Sequence, residues 1–206
     1  MKHASLRYVL VVFSMLLLFG ATHGIAQEKV LKVGVMAPYT GPSAQTGDEF
    51  KSVSTMAFEN INYQIGDYKI ELIWIDSQSD PAKAAAAYAE AVERKGMEVG
   101  MLNWHSSVSI SVMDVAAQYK VPHLFAFGAA PIIDEKYKSD PEKYQYWCGK
   151  GWPVPAKLTL GYTECIQNAI SKDLWKPEKQ LVAIYGEDTD WGRSQGEALT
   201  QEFKKI

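Results

Sequence analysis

Apolar and polar positions along the chain follow two alternating periods. Short runs of β-branched and apolar residues, typical of buried strands, are separated by stretches with apolar residues at helical spacing. The first part of the chain contains four such runs, at residues 30–36, 68–76, 99–102 and 121–125. Because a helical stretch separates most successive runs, we expect parallel strands joined by right-handed crossovers. The pattern therefore predicts an α/β fold with helices on both faces of a mainly parallel sheet.

Helical periodicity occupies the intervals between these runs. We predict helices over residues 48–64 and 81–95, and a third that begins at Ser106 or Ser107 and ends near residue 119. Asp80 and Pro81 are well suited to the start of the second helix, since aspartate caps free N–H groups and proline fits the first turn.

Turn-forming residues are densest between residues 130 and 153, which include three prolines and two glycines. We interpret this region as the passage between two lobes, with the first lobe over residues 27–145 and the second beginning at 146. Strands are predicted at 144–148 and 180–185, and helices at 154–171 and 192–205. These elements are too few to close a layered core, so we expect the second lobe to be incomplete within residues 146–206.

The amino terminus has the features of a cleaved signal peptide. Lys2 and Arg7 precede an apolar run at residues 8–19, and Gly24 and Ala26 are small residues suited to a cleavage point after Ala26. The run is shorter than the ~20 residues needed to span a bilayer. We therefore expect residues 1–26 to be removed, no membrane span in the mature protein, and a periplasmic location.

Composition excludes several classes of function. Hydrophobic residues make up 47% of the chain, enough for a core, and the net charge of -3 offers no basic surface for nucleic acid. Cys148 and Cys165 are the only cysteines, and without a nearby histidine pair they do not predict a zinc site. In a secreted protein they could form a disulfide or remain separate buried thiols, and the sequence leaves both open. No metal or cofactor is expected.

Ligands of open parallel sheets bind where strands end and helices begin, so the strand-to-helix turns are the places to search. The first turn, residues 38–48, is rich in glycine and hydroxyls and contains Thr46, but it lacks the lysine and glycine spacing of a nucleotide loop. The turn after the third strand contains Trp104, Ser106 and Ser107 at a helix start, where N–H groups and hydroxyls suit a carboxylate. N-capping alone would also explain the serines.

Two further turns add small and acidic residues. Gly128 and Ala129 follow the fourth strand and would let a ligand approach the backbone. The last turn, residues 185–192, has carboxylates that would attract an ammonium group and Trp191, which would supply a flat apolar wall. A hydrolase using His105, or Asp188 and Asp190, is the enzymatic alternative. The sequence lacks the GxSxG and HExxH motifs, so we expect no catalytic residues.

Taken in order, these turns resemble a known family. The matching segments are residues 31–48 (LKVGVMAPYTGPSAQTGD), 75–84 (IDSQSDPAKA), the serine-led third turn, 120–131 (KVPHLFAFGAAP) and 182–192 (VAIYGEDTDWG). Together they resemble the type I periplasmic solute-binding proteins, specifically the Leu/Ile/Val-binding receptors of ABC importers. The resemblance implies a two-lobed type I fold that closes on a small-molecule ligand and delivers it to a membrane permease. A ligand-sensing domain of the same fold, regulating a partner protein, is the alternative.

The resemblance also implies positions for the ligand site. By position, the serine that holds the ligand's α-carboxylate and α-amino groups falls on Ser106 or Ser107, and the turn after the fourth strand falls on Gly128 and Ala129. Thr46 stands where the family often has an aromatic residue, and Trp191 lies in the turn that usually carries a tyrosine.

The chain departs from the family pattern in ways that bear on the ligand. Ala129 and Ala130 replace the hydroxyl residues common after the fourth strand, and Trp104 and His105 enlarge the third turn. Trp147 and Trp152 are further aromatic residues near the predicted loops. These features favour an aromatic acid, an amide or another small carboxylate over an aliphatic amino acid, although core packing would also explain the tryptophans.

Overall fold

The computed structural model describes residues 28–179 and 181–205. The predicted signal peptide therefore lies outside the described residues and stays a prediction. Within those two ranges, no helix is both long enough and apolar enough to cross a bilayer.

A mainly parallel sheet forms the centre of the described chain, with its strands in the order β2-β3-β1-β4-β5-β6. The strands are β1 (Lys29–Ala37), β2 (Gln64–Ile65), β3 (Tyr68–Asp76), β4 (Val99–Leu102), β5 (His123–Ala126) and β6 (Trp147–Lys150). Only the short edge strand β2 is antiparallel to its neighbour. The predicted α/β class is confirmed.

Helices follow five of the six strands. The helices are α1 (Ala44–Asn60), α2 (Pro81–Lys95), α3 (Ser106–Tyr119), α4 (Pro131–Ser139), α5 (Pro155–Ser171) and α6 (Asp190–Phe203), and all of them except α4 were predicted from the periodicity. At the start of α2, the Asp80 side chain accepts hydrogen bonds from the backbone N–H groups of Ala82 and Lys83. At its end, Gly96 adopts a left-handed conformation (φ 71°) that closes the helix.

Helices cover both faces of the sheet. Ile73 and Ile75 of β3 join the buried core together with Tyr88 of α2 and Val112 of α3. Successive strand residues point to opposite faces, so Trp74 lies on the other side. There the ammonium of Lys51, on α1, lies 5.6 Å from the Trp74 ring centroid. Helix α1 therefore packs on the face opposite α2 and α3.

The predicted bounds of α1 were wrong at both ends. The helix begins at Ala44 rather than residue 48, which places Gly47 in its first turn. A Cβ on Gly47 would lie 2.3 Å from the carbonyl oxygen of Pro38, so this glycine serves close packing and not a helix break. The helix ends at Asn60 because Asn62 and Tyr63 adopt left-handed backbone conformations.

The region predicted to be irregular contains more structure than expected. Helix α4 forms inside it, and the strand predicted at 144–148 starts only at Trp147, because the Tyr144 N–H donates to the Asp140 carbonyl in a turn. Strand β6 pairs with β5, so the first sheet extends beyond the expected lobe boundary at residues 145 and 146. The division into lobes stays a prediction.

The strand predicted at residues 180–185 does not form. Residues 181–187 have no regular secondary structure, and Gln180 lies outside the described residues. Leu181 and Tyr185 are 79% and 102% exposed. A strand is held by hydrogen bonds to a neighbouring strand, and no described segment pairs with this one.

Neither expectation for the cysteines is met. Cys148 lies in β6 and Cys165 on α5, and both are exposed free thiols. They form no disulfide, and they are not buried.

Candidate ligand-binding site

A cleft of about 210 Å³ opens at the carboxyl ends of β4 and β5, between the sheet and helices α5 and α6. One side consists of turn residues that follow the strands, and the other of residues from α5, α6 and the turn before α6. The lining residues are Trp104, His105, Ser106, Ser107, Phe127, Trp152, Leu158, Tyr162, Glu187, Thr189, Asp190 and Trp191. This is the edge of a parallel sheet at which ligands are expected.

The turn between β4 and α3 is held in an unusual backbone conformation. Leu102 and Asn103 both have positive φ angles, 65° and 124°. The fully buried Asn103 side chain donates to the His105 carbonyl (3.1 Å) and to Ser109 Oγ (2.7 Å), and the backbone carbonyl of Asn103 accepts a hydrogen bond from the Phe127 N–H. Conformations of this kind persist only where the surroundings enforce them. The turn therefore presents Trp104 and His105 to the cleft in a fixed position.

Ser106 joins this turn to the one that follows β5. Its Oγ accepts hydrogen bonds from the backbone N–H groups of Ala129 and Ala130, each at 3.1 Å. Gly128 permits the contact, since a Cβ there would lie 2.3 Å from Ser109 Oγ and 2.9 Å from the Ser106 Cα. Gly128 and Ala129 are buried beneath the cleft and do not line it. They fix its floor.

The amino terminus of α3 points N–H groups towards the cleft. The first hydrogen bond of the helix runs from the Ser109 N–H to the His105 carbonyl, so the N–H groups of the preceding turn have no acceptor within the helix. Ser107 adds a partly exposed hydroxyl. This end of the helix carries partial positive charge and suits an anionic or carbonyl group.

Aromatic rings form most of the apolar surface. The Phe127 ring centroid lies 6.3 Å from that of Trp104 and 6.2 Å from that of Trp152, and Phe50 of α1 packs behind against both Trp104 and Phe127. Trp104 and Trp152 remain 40% and 42% exposed, in contrast to a core tryptophan. Tyr162 and Trp191 face them from α5 and α6.

The turn before α6 supplies the acidic side. Thr189 caps α6 by accepting a hydrogen bond from the Gly192 N–H at 3.0 Å, and its own hydroxyl donates to Glu187. Arg193 forms ion pairs with Asp188 and Asp190. The Arg193 guanidinium thus balances the negative charge of Asp190. The Glu187 carboxylate instead accepts a hydrogen bond from the uncharged Thr189 hydroxyl.

His105 lies between the two sides. Its Nε2 is 3.2 Å from Ser43 Oγ at the start of α1. Burial lowers the pKa of His105 below its ordinary value of 6.5, while the nearby Glu187 carboxylate opposes this shift. Burial therefore favours the neutral form of the imidazole. Within the described residues, no group of three or more histidine, cysteine or acidic side chains is arranged to hold a metal ion.

The structure brings together some of the residues proposed from the sequence and separates others. Trp104, Ser106, Ser107 and Trp191 line the cleft. Thr46 does not; it lies in the first turn of α1, one turn before Phe50. Trp147 is a core residue, 7% exposed, with its ring stacked on that of His123 at 4.8 Å.

Several lining residues were not proposed from the sequence. They are Phe127, Leu158, Tyr162 and Thr189. The sequence had suggested His105 and Asp190 only for the hydrolase alternative, Glu187 only as one of the carboxylates of the last turn, and Trp152 only as an aromatic residue near a loop. Leu158 and Tyr162 could have been found, because they are four residues apart near the start of a predicted helix and must share one face. Phe127 gave no such signal, since it belongs to no periodic segment.

The chain as a whole matches a known protein family. The sequence profile of the periplasmic binding protein family matches residues 30–206. The chain belongs to this family.

Individual relatives cover only part of their own length. A Leu/Ile/Val-binding protein homologue from Brucella abortus is 27% identical over 127 residues, which is 61% of this chain and 33% of the relative. An ABC transporter protein from Silicibacter pomeroyi shares the fold with a TM-score of 0.71 and 21% identity, over 86% of this chain and 45% of that one. A solute-binding protein of an ABC transporter from R. palustris, solved with 4-hydroxybenzoate, gives a TM-score of 0.69 and 21% identity, over 86% and 44%. The chain thus spans less than half of the length of each.

Proposed function

We propose that this protein is the substrate-binding component of an ABC importer in the periplasm. In this role it captures an amino acid or a related small carboxylate or amide and presents it to a membrane permease. The observation that carries the proposal is the aromatic cleft at the carboxyl ends of β4 and β5 in a chain of the periplasmic binding protein family. Capture is passive, and no bond is made or broken.

The two sides of the cleft suit different parts of such a ligand. The amino terminus of α3, with the Ser107 hydroxyl, offers donors for a carboxylate or carbonyl oxygen. Trp104, Phe127 and Trp152 offer flat apolar surface for the ligand's body. The cleft volume of about 210 Å³ is below the roughly 300–1,000 Å³ of sites for drug-sized ligands, which favours a small solute.

Ligand binding would act by stabilising a closed arrangement. The lining residues come from the first sheet on one side and from α5 and α6 on the other, so a ligand that contacts both sides draws them together. The closed form is then the state that a permease recognises.

A thermal-shift screen tests the proposal. The purified protein is heated with amino acids, aromatic acids and amides, each at a concentration of about 100 times an expected micromolar Kd, at which a specific ligand adds about 2.7 kcal/mol to the free energy of unfolding. We expect a rise of several degrees in Tm with one chemical group. A cooperatively unfolding sample that responds to no solute would contradict the proposal. The variant Trp104→Ala, which removes one wall of the cleft, should lose the response.

A further inference from the structure

His123 is a fully buried residue at the start of β5. In the sheet it pairs with Gly100 of β4, and its imidazole reaches along β4 to Leu102. The imidazole Nε2 lies 2.6 Å from the Leu102 carbonyl oxygen. Because a carbonyl oxygen can only accept a hydrogen bond, Nε2 must carry the proton and donate it. His123 is therefore hydrogen-bonded to the backbone at the last residue of β4.

The surroundings of His123 hold its imidazole in this orientation. The ring stacks on Trp147 with 4.8 Å between centroids and an interplanar angle of 4°, and the Tyr88 ring centroid lies 5.6 Å away. Gly100 leaves the necessary space, because a Cβ there would lie 2.7 Å from His123 Nδ1. Burial lowers the pKa of His123 to about 4, so the imidazole is neutral at pH 7. The core thus fixes the donor that faces Leu102.

The Leu102 carbonyl belongs to the peptide group between two residues with positive φ angles. These residues, Leu102 and Asn103, have φ values of 65° and 124°. Rotation of the planar peptide group between them changes ψ of the first residue and φ of the second together. The Asn103 side chain holds the chain beyond this group, through the His105 carbonyl and Ser109. The hydrogen bond from His123 acts on the peptide group itself.

We propose that His123 is a positioning residue of the ligand cleft, which it shapes by fixing the orientation of the peptide group between Leu102 and Asn103. Trp104 follows this peptide group directly and forms one aromatic wall of the cleft. A peptide group that turned away from His123 would redirect the backbone from which Trp104 projects. The consequence for solute capture rests on the proposed function.

Two substitutions of His123 separate the hydrogen bond from the packing of the ring. His123→Gln keeps a side-chain N–H donor and loses the ring, whereas His123→Phe keeps a ring to stack on Trp147 and loses the donor. The readout is the fluorine NMR resonance of Trp104 in protein labelled with 5-fluorotryptophan, assigned by its absence from Trp104→Phe. The Trp104 ring packs against Phe50 and Phe127, so its resonance reports on the cleft rather than on the neighbours of residue 123.

We expect the Trp104 resonance of His123→Gln to match that of the wild type and the resonance of His123→Phe to be displaced or divided. Loss of an ordinary hydrogen bond should raise the population of an altered turn by about two- to tenfold. The half-exposed Trp175, which follows α5, is the internal control and should not shift. An unchanged Trp104 resonance in His123→Phe would overturn the proposal. Equal disturbance in both variants would also overturn it, since ring packing would then explain the effect.

The wild-type protein offers a measurement that does not depend on either variant folding. Proton–nitrogen correlation spectra of the imidazoles, assigned with His105→Gln, distinguish the two tautomers. We expect His123 to carry its proton on Nε2 at pH 7, whereas a proton on Nδ1 would refute the proposal by leaving the Leu102 carbonyl without this donor. None of these measurements uses a solute. Their failure would leave the proposed function intact, and a failed thermal-shift screen would leave the role of His123 in the turn intact.

Discussion

Ser106 offers a direct test of how the floor of the cleft is held, because the structure gives its hydroxyl a bonding role within the protein. In Ser106→Ala the N–H groups of Ala129 and Ala130 lose their acceptor. Both residues are fully buried, so water cannot easily replace the serine oxygen. Each unsatisfied buried donor costs about 1–3 kcal/mol, and two donors are affected here. Because the backbone can relax in part, we expect a loss of about 2–4 kcal/mol in the free energy of unfolding.

Equilibrium urea denaturation at pH 7, followed by circular dichroism, measures this loss as a lower midpoint at constant slope. Ser107→Ala is the control. Its hydroxyl is partly exposed at the next position of the same helix, so we expect a change within about 0.5 kcal/mol. If Ser106→Ala were as stable as Ser107→Ala, the two hydrogen bonds would contribute nothing measurable and the argument would fail. A loss of ligand affinity without a loss of stability would instead assign Ser106 to the ligand.

Three further predictions concern packing and pH. Gly47→Ala should lower the free energy of unfolding by about 1–3 kcal/mol, because the new Cβ would lie 2.3 Å from a backbone oxygen. Gly161→Ala, which has open space around it on α5, should raise the free energy of unfolding by about 0.5–1 kcal/mol. Urea denaturation of both variants measures these changes. Trp147→Ala should lose about 3–5 kcal/mol, while Trp104→Ala should lose less stability but weaken ligand binding, as denaturation and calorimetry together would report. Burial lowers the pKa of His123 to about 4 from 6.5, so the folded state binds this proton more weakly than the unfolded state, and stability should fall by about 3 kcal/mol as the pH drops from 6.5 to 4. His123→Gln should remove this component of the pH dependence.

The outcomes that would contradict these predictions are specific. Equal stability of the two glycine variants would mean that the loop before α1 moves freely away from the helix. Equal destabilisation by the two tryptophan variants would mean that the exposed ring at the cleft is as important to the core as the buried one. An unchanged slope of stability against pH between pH 6.5 and 4 in His123→Gln would mean that the buried imidazole is protonated as readily in the folded protein as in the unfolded one.

Local sequence signals correctly predicted the elements whose bounds depend on residues within or next to them. The start of α2 was predicted from Asp80 and Pro81, since capping preferences act within a few residues, and its predicted end at residue 95 matches the structure. Strand β3 was predicted at its observed bounds, because its alternation reflects burial on one face. The strand predicted at 180–185 shows the limit of this reasoning, since an apolar run becomes a strand only when another strand pairs with it.

The prediction of where α1 begins was wrong because it took no account of close packing around Gly47. Gly47 suggests a break in the chain, yet it lies inside α1, where the absence of a side chain lets the helix approach the backbone of Pro38. The same residue type thus has opposite consequences for the helix, depending on a neighbour nine residues away in sequence. No local preference contains that information.

The fold class and the order of the main elements could be predicted from the sequence, and so could three of the turns that border the cleft, because periodicity, caps and glycine-rich turns are properties of short segments. Which residues of those turns face the cleft became clear from the tertiary structure alone. It directed Ser106 to the backbone of the next turn, placed Trp147 in the core and Trp152 at the cleft, and brought Glu187 into the same cleft as His105. These assignments depend on contacts between segments far apart in sequence, and such contacts exist only once the sheet has formed.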